Sequence, residues 1–490
     1  MTVNDLYLLS PEIAMAAIAG IVVLVDLLVR RPRLVAMLGF VGLIVPLALT
    51  ILLWSYVLRN GSEVGIYGTL VVDEFAIFFK FVVIFIVGAV FLGSADYVAK
   101  LQNFQGEFYA LLLLSAVGMM LLAATTELIS IYVSLELTSL PLAALIAFAK
   151  DGRSTEAGIK FLILSGISSA LLLYGMVLVY GFIGSTELGH IAQGISAGDI
   201  PFGSYATLVG AAMIIAGFGF KVSMFPFQMW VPDVYEGSPT PVAAYLSVAS
   251  KAAGFAVLLR VLYVAFESVD TDWNTLFAIL SALSMTIGNL LAMVQANIKR
   301  LLAYSTIAHA GYMLVGFAVT MGQQEMDPVG LGPSGVLFYL VAYAFTNLAA
   351  FFAIMALTNR SGSEDINSLA GMARRGPIVS FVLAFAFVSL IGIPPTAGFM
   401  GKLYLFNAAV QSGLVWLAIV GVVNSVISSY YYLKVVRIMY VSTTEEQETI
   451  ESSLAVRVAL GVTSVATLFL GIFPGTLLRI TELASTSLVS

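Results

Sequence analysis

The chain has no cysteine and only two histidines, His190 and His309, among 490 residues. The first absence excludes disulfides, iron–sulfur ligation and thiolate metal sites within the chain. The second leaves too few imidazoles for a haem pair or a histidine-rich metal centre. Charge is equally scarce: 10% of residues are Asp, Glu, Lys or Arg, against 60% hydrophobic. A soluble domain of this size needs a far more charged surface, so the composition reads as a polytopic membrane protein whose main partner is the lipid bilayer. The formal net charge of -6 is small for the length and gives no hint of nucleic acid. Residues 1–10 have neither a basic n-region nor a small-residue cleavage pattern, so no removable signal peptide is expected.

What the chain does hold is a series of long apolar runs. Segments able to cross about 30 Å of hydrocarbon are read at 13–28, 34–54, 75–93, 108–124, 128–149, 157–184 and 206–230. Seven more follow at 242–266, 273–294, 301–319, 336–357, 378–406, 414–440 and 454–477. This predicts an all-α polytopic membrane protein of fourteen transmembrane helices without a globular extramembrane domain. Basic residues in alternate loops test the count, because they accumulate on the cytoplasmic side. One side holds Arg30, Arg31, Arg33, Lys100, Lys150, Arg153, Lys160, Lys299, Arg300, Arg360, Arg374, Arg375, Arg437 and Arg457; the other holds only Arg59, Arg260 and Arg479. Both termini are therefore expected on the periplasmic side of a cell membrane.

Five ionisable residues, one in each of five different runs, stand out from the charged loops: Glu136, Lys221, Lys251, His309 and Lys402. A charge at the centre of a membrane helix costs roughly 2.5–3.5 kcal/mol on insertion scales, so such residues mark ion or proton pathways by default. Glu136 has Tyr132 and Ser139 on its own helix face, and the bland alternative is a structural ion pair. Lys251 is out of snorkelling reach of either end, with Ser247 one turn back. His309 alone reads as a satisfied core histidine, yet imidazole passes protons on either nitrogen, and Ser305 and Tyr312 flank it. Lys402 reads either as an exit group or as a snorkelling lysine. Lys80, with Asp73 and Glu74, reads as an interfacial cluster against a neighbour; Lys434 snorkels, and His190 is a solvated loop residue.

Two predicted spans carry helix breakers beside a lysine. In Gly217-Phe-Gly-Phe-Lys221-Val-Ser-Met-Phe-Pro226, the proline lacks a donor and frees the carbonyl of Val222. In Gly392-Ile-Pro-Pro-Thr-Ala-Gly398-Phe-Met-Gly-Lys402, a double proline interrupts the twelfth span. Irregular backbone at membrane depth survives only where protein or a wet cavity satisfies it, and such breaks in matching places of two halves point to a transport site. Helices five, seven and eight carry Glu136, Lys221 and Lys251; helices ten, twelve and thirteen carry His309, Lys402, and Asn424 with Lys434. Five helices separate the two sets, so the halves are read as inverted repeats at 108–266 and 273–440. They are preceded by N-terminal helices within 1–124 and followed by a last helix within 454–490.

These motifs resemble a known family. Phe218-Gly-Phe-Lys-Val-Ser-Met-Phe-Pro-Phe-Gln-Met-Trp-Val-Pro-Asp-Val-Tyr-Glu-Gly-Ser-Pro-Thr-Pro241 is similar to the seventh-helix signature of the antiporter-like subunits of respiratory complex I and of Mrp-type cation/proton antiporters. Leu246-Ser-Val-Ala-Ser-Lys-Ala-Ala-Gly254, Ala303-Tyr-Ser-Thr-Ile-Ala-His-Ala-Gly-Tyr312 and Ile393-Pro-Pro-Thr-Ala-Gly-Phe-Met-Gly-Lys402 look specifically like subunit N of bacterial NADH–quinone oxidoreductase. No long amphipathic extension follows the last span, unlike the largest antiporter-like subunit. The resemblance implies a proton-translocating subunit of a translocase, with no redox centre of its own. FMN, iron–sulfur clusters and quinone would reside in partner subunits, and the neighbours would be other membrane-arm subunits. It also implies roles: Glu136 and Lys221 as a modulated pair, Lys251 as central relay, His309 as connector, and Lys402 toward the far half-channel. The alternatives are a component of a multisubunit Na+/H+ (Mrp-type) antiporter and an inactive scaffold.

Overall fold

The structure is a computed structural model that describes residues 3–29, 32–100, 104–197, 204–266, 269, 271–319, 331–442, 449 and 452–488. After a short helix at Val3–Leu8 come α1 (Ser10–Val29), α2 (Pro32–Gly42) and α3 (Ile44–Asn60), then a hairpin of β1 (Glu63–Gly65) and β2 (Leu70–Val72). Next come α4 (Glu74–Gly93), α5 (Gln105–Ala124), α6 (Leu128–Ile146), α7 (Gly152–Ile183), α8 (Ser204–Val222) and α9 (Trp230–Gly237). They are followed by α10 (Thr240–Ala265), α11 (Trp273–Met293), α12 (Ile298–Ala318) and α13 (Leu331–Ser361). The last are α14 (Pro377–Ile391), α15 (Ala397–Gln411), α16 (Val415–Val441), α17 (Leu454–Ile472) and α18 (Gly475–Thr486).

Among the described residues, 13 helices are long and apolar enough to cross a membrane. The run read as one span at 378–406 is instead the two short helices α14 and α15, parted at Gly392–Thr396 by the double proline. The run read at 206–230 ends early: α8 stops at Val222, and the chain turns before α9. Within α10 the stretch Leu246–Ser250 is wound as a π-helix that ends where Lys251 begins. Such wide turns leave backbone groups out of the regular ladder and recur at functional sites. The hairpin is a feature the all-helical reading did not contain. Its β-branched strand Leu70–Val72 buries Leu70 and Val72, and its turn carries Gly68 at positive φ.

The layering follows from which helices meet lipid. In α10 the apolar window is 100% buried and in α12 it is 94%, whereas in α1 it is 28%. So α10 and α12 form the axis of the bundle, wrapped by α4, α5 and α13, with the remaining helices outside. Without a hydrophobic drive between helices in lipid, close approach is set by small residues. A Cβ on Gly118 would lie 2.6 Å from the backbone nitrogen of Thr138, and one on Gly288 would lie 2.6 Å from that of Ala308. These two contacts fix the α5–α6 and α11–α12 pairs at backbone distance.

The starts of α6 and α12 are also built alike. Glu127 caps α6 by accepting from the Ser130 amide, and Asn297 caps α12 by accepting from those of Lys299 and Arg300. Beside the first cap, the Leu128 amide donates to Thr186 (2.8 Å) and the Leu188 amide to Thr126 (2.9 Å). Beside the second, the Ile298 amide donates to Glu364 (2.9 Å) and the Ile366 amide to Ala296 (2.8 Å).

Candidate functional site

The breaks in α8 and α14 expose backbone carbonyls, and membrane lysines occupy them. A proline at position i removes the amide that the carbonyl of i−4 would otherwise bind. Pro226 thus orphans Val222, whose carbonyl accepts from Lys251 Nζ at 3.3 Å. Pro394 and Pro395 orphan Leu390 and Ile391, and both carbonyls accept from Lys402 Nζ at 3.0 Å. Sequence alone identified the freed carbonyl at Val222; the lysines that fill all three come from other helices or from across the break.

Lys251 also donates to the carbonyl of Thr306 at 3.2 Å, and it has no carboxylate within ion-pair distance among the described residues. It is fully buried. A charge there is held only by two backbone dipoles. Lys402 has a third acceptor, Ser425 Oγ at 3.0 Å, and its ammonium lies 4.2 Å from the centroid of the Tyr312 ring. The lysine is buried and turned inward, so the snorkelling reading of Lys402 is not what the structure shows.

Between these two lysines lies His309 inside a cage of tyrosines. Its Nδ1 is 2.6 Å from the hydroxyl of Tyr339, and its ring centroid is 5.1 Å from Tyr343 and 5.5 Å from Tyr312. The Tyr343 hydroxyl donates to Thr306 Oγ1 at 3.0 Å, on the residue whose carbonyl receives Lys251. On the other side, Ser425 donates to the Tyr312 hydroxyl at 3.3 Å and receives Lys402. The result is a file of groups that both donate and accept: Thr306, Tyr343, His309 with Tyr339, Tyr312, Ser425. Hydroxyls and imidazole can each take a proton on one atom and release one from another. Further groups back this file: Asn289 donates to Asn424 at 3.1 Å, Tyr431 donates to Asn289 at 2.9 Å, and Ser305 contacts Tyr432.

Glu136 and Lys221 meet the same junction of α6, α7 and α8 but form no ion pair with each other. Lys221 Nζ donates to Ser139 Oγ at 2.8 Å, and Glu136 accepts a short hydrogen bond from Ser169. Around them Ser165, Ser168, Ser169, Leu135, Gly217 and Phe220 line a cavity of about 10 Å³, the size of about one water. Lys221 is buried, whereas Glu136 is half-buried on the rim of α6. Ser139 was placed on the face of Glu136 by helix periodicity, and there it receives Lys221. On α10, a Cβ at Gly254 would lie 3.2 Å from Lys221 Cγ, so glycine gives the Lys221 stem its room beside the Lys251 helix.

Among the remaining charges, Asp73 and Lys80 depart from expectation. Lys80 does not face outward; it is buried and paired with Glu12 at 2.9 Å. Asp73 is buried against Arg260 at 2.9 Å. The reading of Asp73 and Lys80 as a surface cluster against a neighbour fails because both find partners inside the chain. His190 is exposed and paired with Glu187 at 3.0 Å, and Lys434 is exposed. Among the described residues, no three His, Cys, Asp or Glu side chains converge as a metal would need. Sequence reasoning missed Tyr339, Tyr343, Ser425 and Ser169. A signal for the first two was present: Tyr339, Tyr343 and Asn347 recur every fourth residue, a polar stripe on the otherwise apolar α13.

The chain is also similar to known proteins along nearly its whole length. The NADH:quinone oxidoreductase/Mrp antiporter transmembrane family matches residues 124–428. NADH-quinone oxidoreductase subunit N of Dehalococcoides mccartyi is 43% identical over 487 residues, covering 98% of this chain and 99% of that protein. A chain of respiratory complex I from Thermus thermophilus, solved with bound aureothin, superposes with a TM-score of 0.79 at 31% identity over 96% of this chain and 98% of its own. A chain of the Mrp complex from Dietzia superposes at 0.86 over 100% of this chain and 98% of its own, but at 22% identity that likeness speaks for the fold alone. With near-complete coverage at 43% identity, and with Glu136, Lys221, Lys251, His309 and Lys402 inside the matched region, this chain belongs to the subunit N family of NADH–quinone oxidoreductases.

Proposed function

We propose that the chain is a proton-translocating module in the membrane arm of an NADH–quinone oxidoreductase. Electrons pass from NADH to quinone through FMN and iron–sulfur clusters held by partner subunits. This chain supplies the proton path and no redox centre. The observation that carries the reading is the file of titratable and hydroxyl groups from Lys251 through His309 to Lys402, buried along the axis of the bundle. Protons enter from the cytoplasmic side near Lys221, reach Lys251, cross the tyrosine cage at His309 and leave toward the periplasm by Lys402. Glu136 acts as the switch: its approach to Lys221 holds a proton, and its withdrawal releases it along the file. The serine-lined cavity beside Lys221 has room for about one water at this junction.

The same reading takes the chain as two inverted repeats, 108–266 and 273–440, in fourteen membrane crossings with both termini on the periplasmic side of the cell membrane. Adding 170 to positions 118, 138, 126 and 128 gives 288, 308, 296 and 298. The paired glycine contacts recur at this offset, as do the Thr126–Leu128 and Ala296–Ile298 sides of the paired loop hydrogen bonds, whose partners at 186 and 188 lie 178 residues before those at 364 and 366. An odd number of crossings lies between the two sets, so equivalent loops face opposite sides. The antiporter reading is the weaker one, since only the fold is shared with the Mrp chain.

Replacing Lys251 by Ala in the intact complex tests the relay. Proton pumping coupled to quinone reduction in membrane vesicles is expected to fall several-fold with the complex assembled. Unchanged pumping would mean that Lys251 is not on the path.

A further inference from the structure

The relay leaves unused the densest set of charges among the described residues. Eight side chains at the inner end of the bundle form one open line in which acids and bases alternate. It runs Glu156–Lys160 at 2.8 Å, Lys160–Asp233 at 3.1 Å, Asp233–Arg300 at 2.8 Å and Arg300–Glu236 at 2.8 Å. It continues Glu236–Arg153 at 2.9 Å, Arg153–Glu364 at 3.2 Å and Glu364–Lys299 at 2.6 Å. Four cations meet four anions, so the line is neutral, and loss of any inner member divides it. Its members come from α7 (Glu156, Lys160, Arg153), α9 (Asp233, Glu236), the start of α12 (Lys299, Arg300) and the loop after α13 (Glu364). The line therefore joins the two halves of the chain.

The short helix α9 is at its centre. Asp233 and Glu236 sit one turn apart on α9, and each is shared between Arg300 and a cation on α7. The far end of α9 is gripped by Lys299, which donates to the Ser238 carbonyl at 2.9 Å. Its near end is tied back to α8 by Trp230 Nε1, which donates to the Phe220 carbonyl at 3.0 Å. The break between α8 and α9 begins just after Val222, the last residue of α8, whose carbonyl holds Lys251. Any movement of α9 is thus transmitted to the backbone that bears Lys221 and touches Lys251.

The strength of the line suits a device that opens. The side chains of Asp233 and Glu236 keep 39% and 28% of their surface in contact with solvent. Such pairs are individually weak and are screened by salt, but alternation lets them act together. A buried, fully desolvated set would not part and re-form during turnover.

We infer that this alternating ion line is the inner gate of the proton path, with Asp233 and Glu236 as positioning residues that hold α9 closed over the Lys221–Lys251 segment. Parting of the line frees α9 to swing about residues 223–229 and admits water from the cytoplasmic side. The inference rests on the relay reading given above.

The test uses the intact complex with Asp233→Asn and Glu236→Gln together. Amide hydrogen exchange across residues 230–237 is expected to rise about tenfold, equivalent to about 1.4 kcal/mol of lost protection. Electron transfer continues while protons moved per electron fall, and the pH profile of pumping shifts. Asp233→Glu with Glu236→Asp restores both. Where the double variant fails to assemble, Glu236→Gln alone cuts the line between Arg300 and Arg153 and serves the same comparison. Wild-type exchange and wild-type coupling in an assembled variant overturn the gate, as does a coupling loss that the acidic replacements do not restore. Lys251→Ala separates the two ideas. Normal pumping there removes the relay itself, whereas lost pumping there beside a wild-type Asp233→Asn, Glu236→Gln complex removes only the gate.

Discussion

Arg260→Met is the perturbation whose size the structure sets best. The guanidinium of Arg260 meets the Asp73 carboxylate through two parallel hydrogen bonds of 2.9 Å, and its Nε donates to the Ala123 carbonyl at 3.0 Å. The carboxylate also caps α4 by accepting from the Ala76 amide at 2.7 Å. Both side chains are 3% exposed. Removal of the arginine leaves a carboxylate out of water with its strongest partner gone, which costs about 3–5 kcal/mol. Asp73→Asn preserves a good capping residue but strands the guanidinium, at a similar cost. The double variant leaves no uncompensated charge and is expected to lose far less than the sum of the single losses. Reversible unfolding of the detergent-solubilised chain in mixed micelles, followed by tryptophan emission, measures all three. The pair also joins α4, α5 and α10 about 14 Å along the helix from Lys251, so Arg260→Met should lower pumping as well. A single-variant loss within about 1 kcal/mol, the range of exposed pairs, would refute the reasoning; so would strict additivity in the double variant.

Gly118→Ala and Gly288→Ala are each expected to destabilise by about 1–3 kcal/mol, because the added methyl meets backbone that cannot turn away. Similar losses at both sites in the same unfolding assay support the repeat relation, and a silent change at either counts against it. A pH prediction follows from Asp233. Burial opposes its ionisation, but hydrogen bonds and positive charge from Lys160 and Arg300 outweigh that and hold its carboxyl below the ordinary 3.8. Because the folded value is depressed, the stability it contributes is complete above the unfolded value and is lost as pH falls through the folded one. Exchange protection of α9 should therefore be constant from neutral pH down to about pH 5 and fall only below about pH 4. Loss of protection already between pH 7 and 6 would contradict this assignment.

Much of the candidate site was legible in the chain because its signals are local. An ionisable residue within an apolar run is visible without any neighbour, and Glu136, Lys221, Lys251, His309 and Lys402 were found that way. A proline announces which carbonyl it frees. What stayed hidden depends on segments far apart in sequence: Tyr339 against His309, Ser425 against Lys402 and Ser169 against Glu136 are separated by 30, 23 and 33 residues. The surface reading of Asp73 and Lys80 failed for the same reason, since nothing near them names Arg260 or Glu12 as partner.

The sequence by itself determined that the chain lies in a membrane, which runs cross it, where two of them break and which ionisable groups they carry. These follow from hydrophobic length and from the cost of charge and free backbone in hydrocarbon, both of which act within one segment. Only the tertiary structure decided which group faces which. It put α10 and α12 on the buried axis, set Lys251 and Lys402 on the carbonyls that the prolines had freed, and strung an alternating line of charge across α7, α9, α12 and the loop after α13. Those choices rest on packing at backbone distance between helices and on hydrogen bonds between remote residues, and no single segment contains that information.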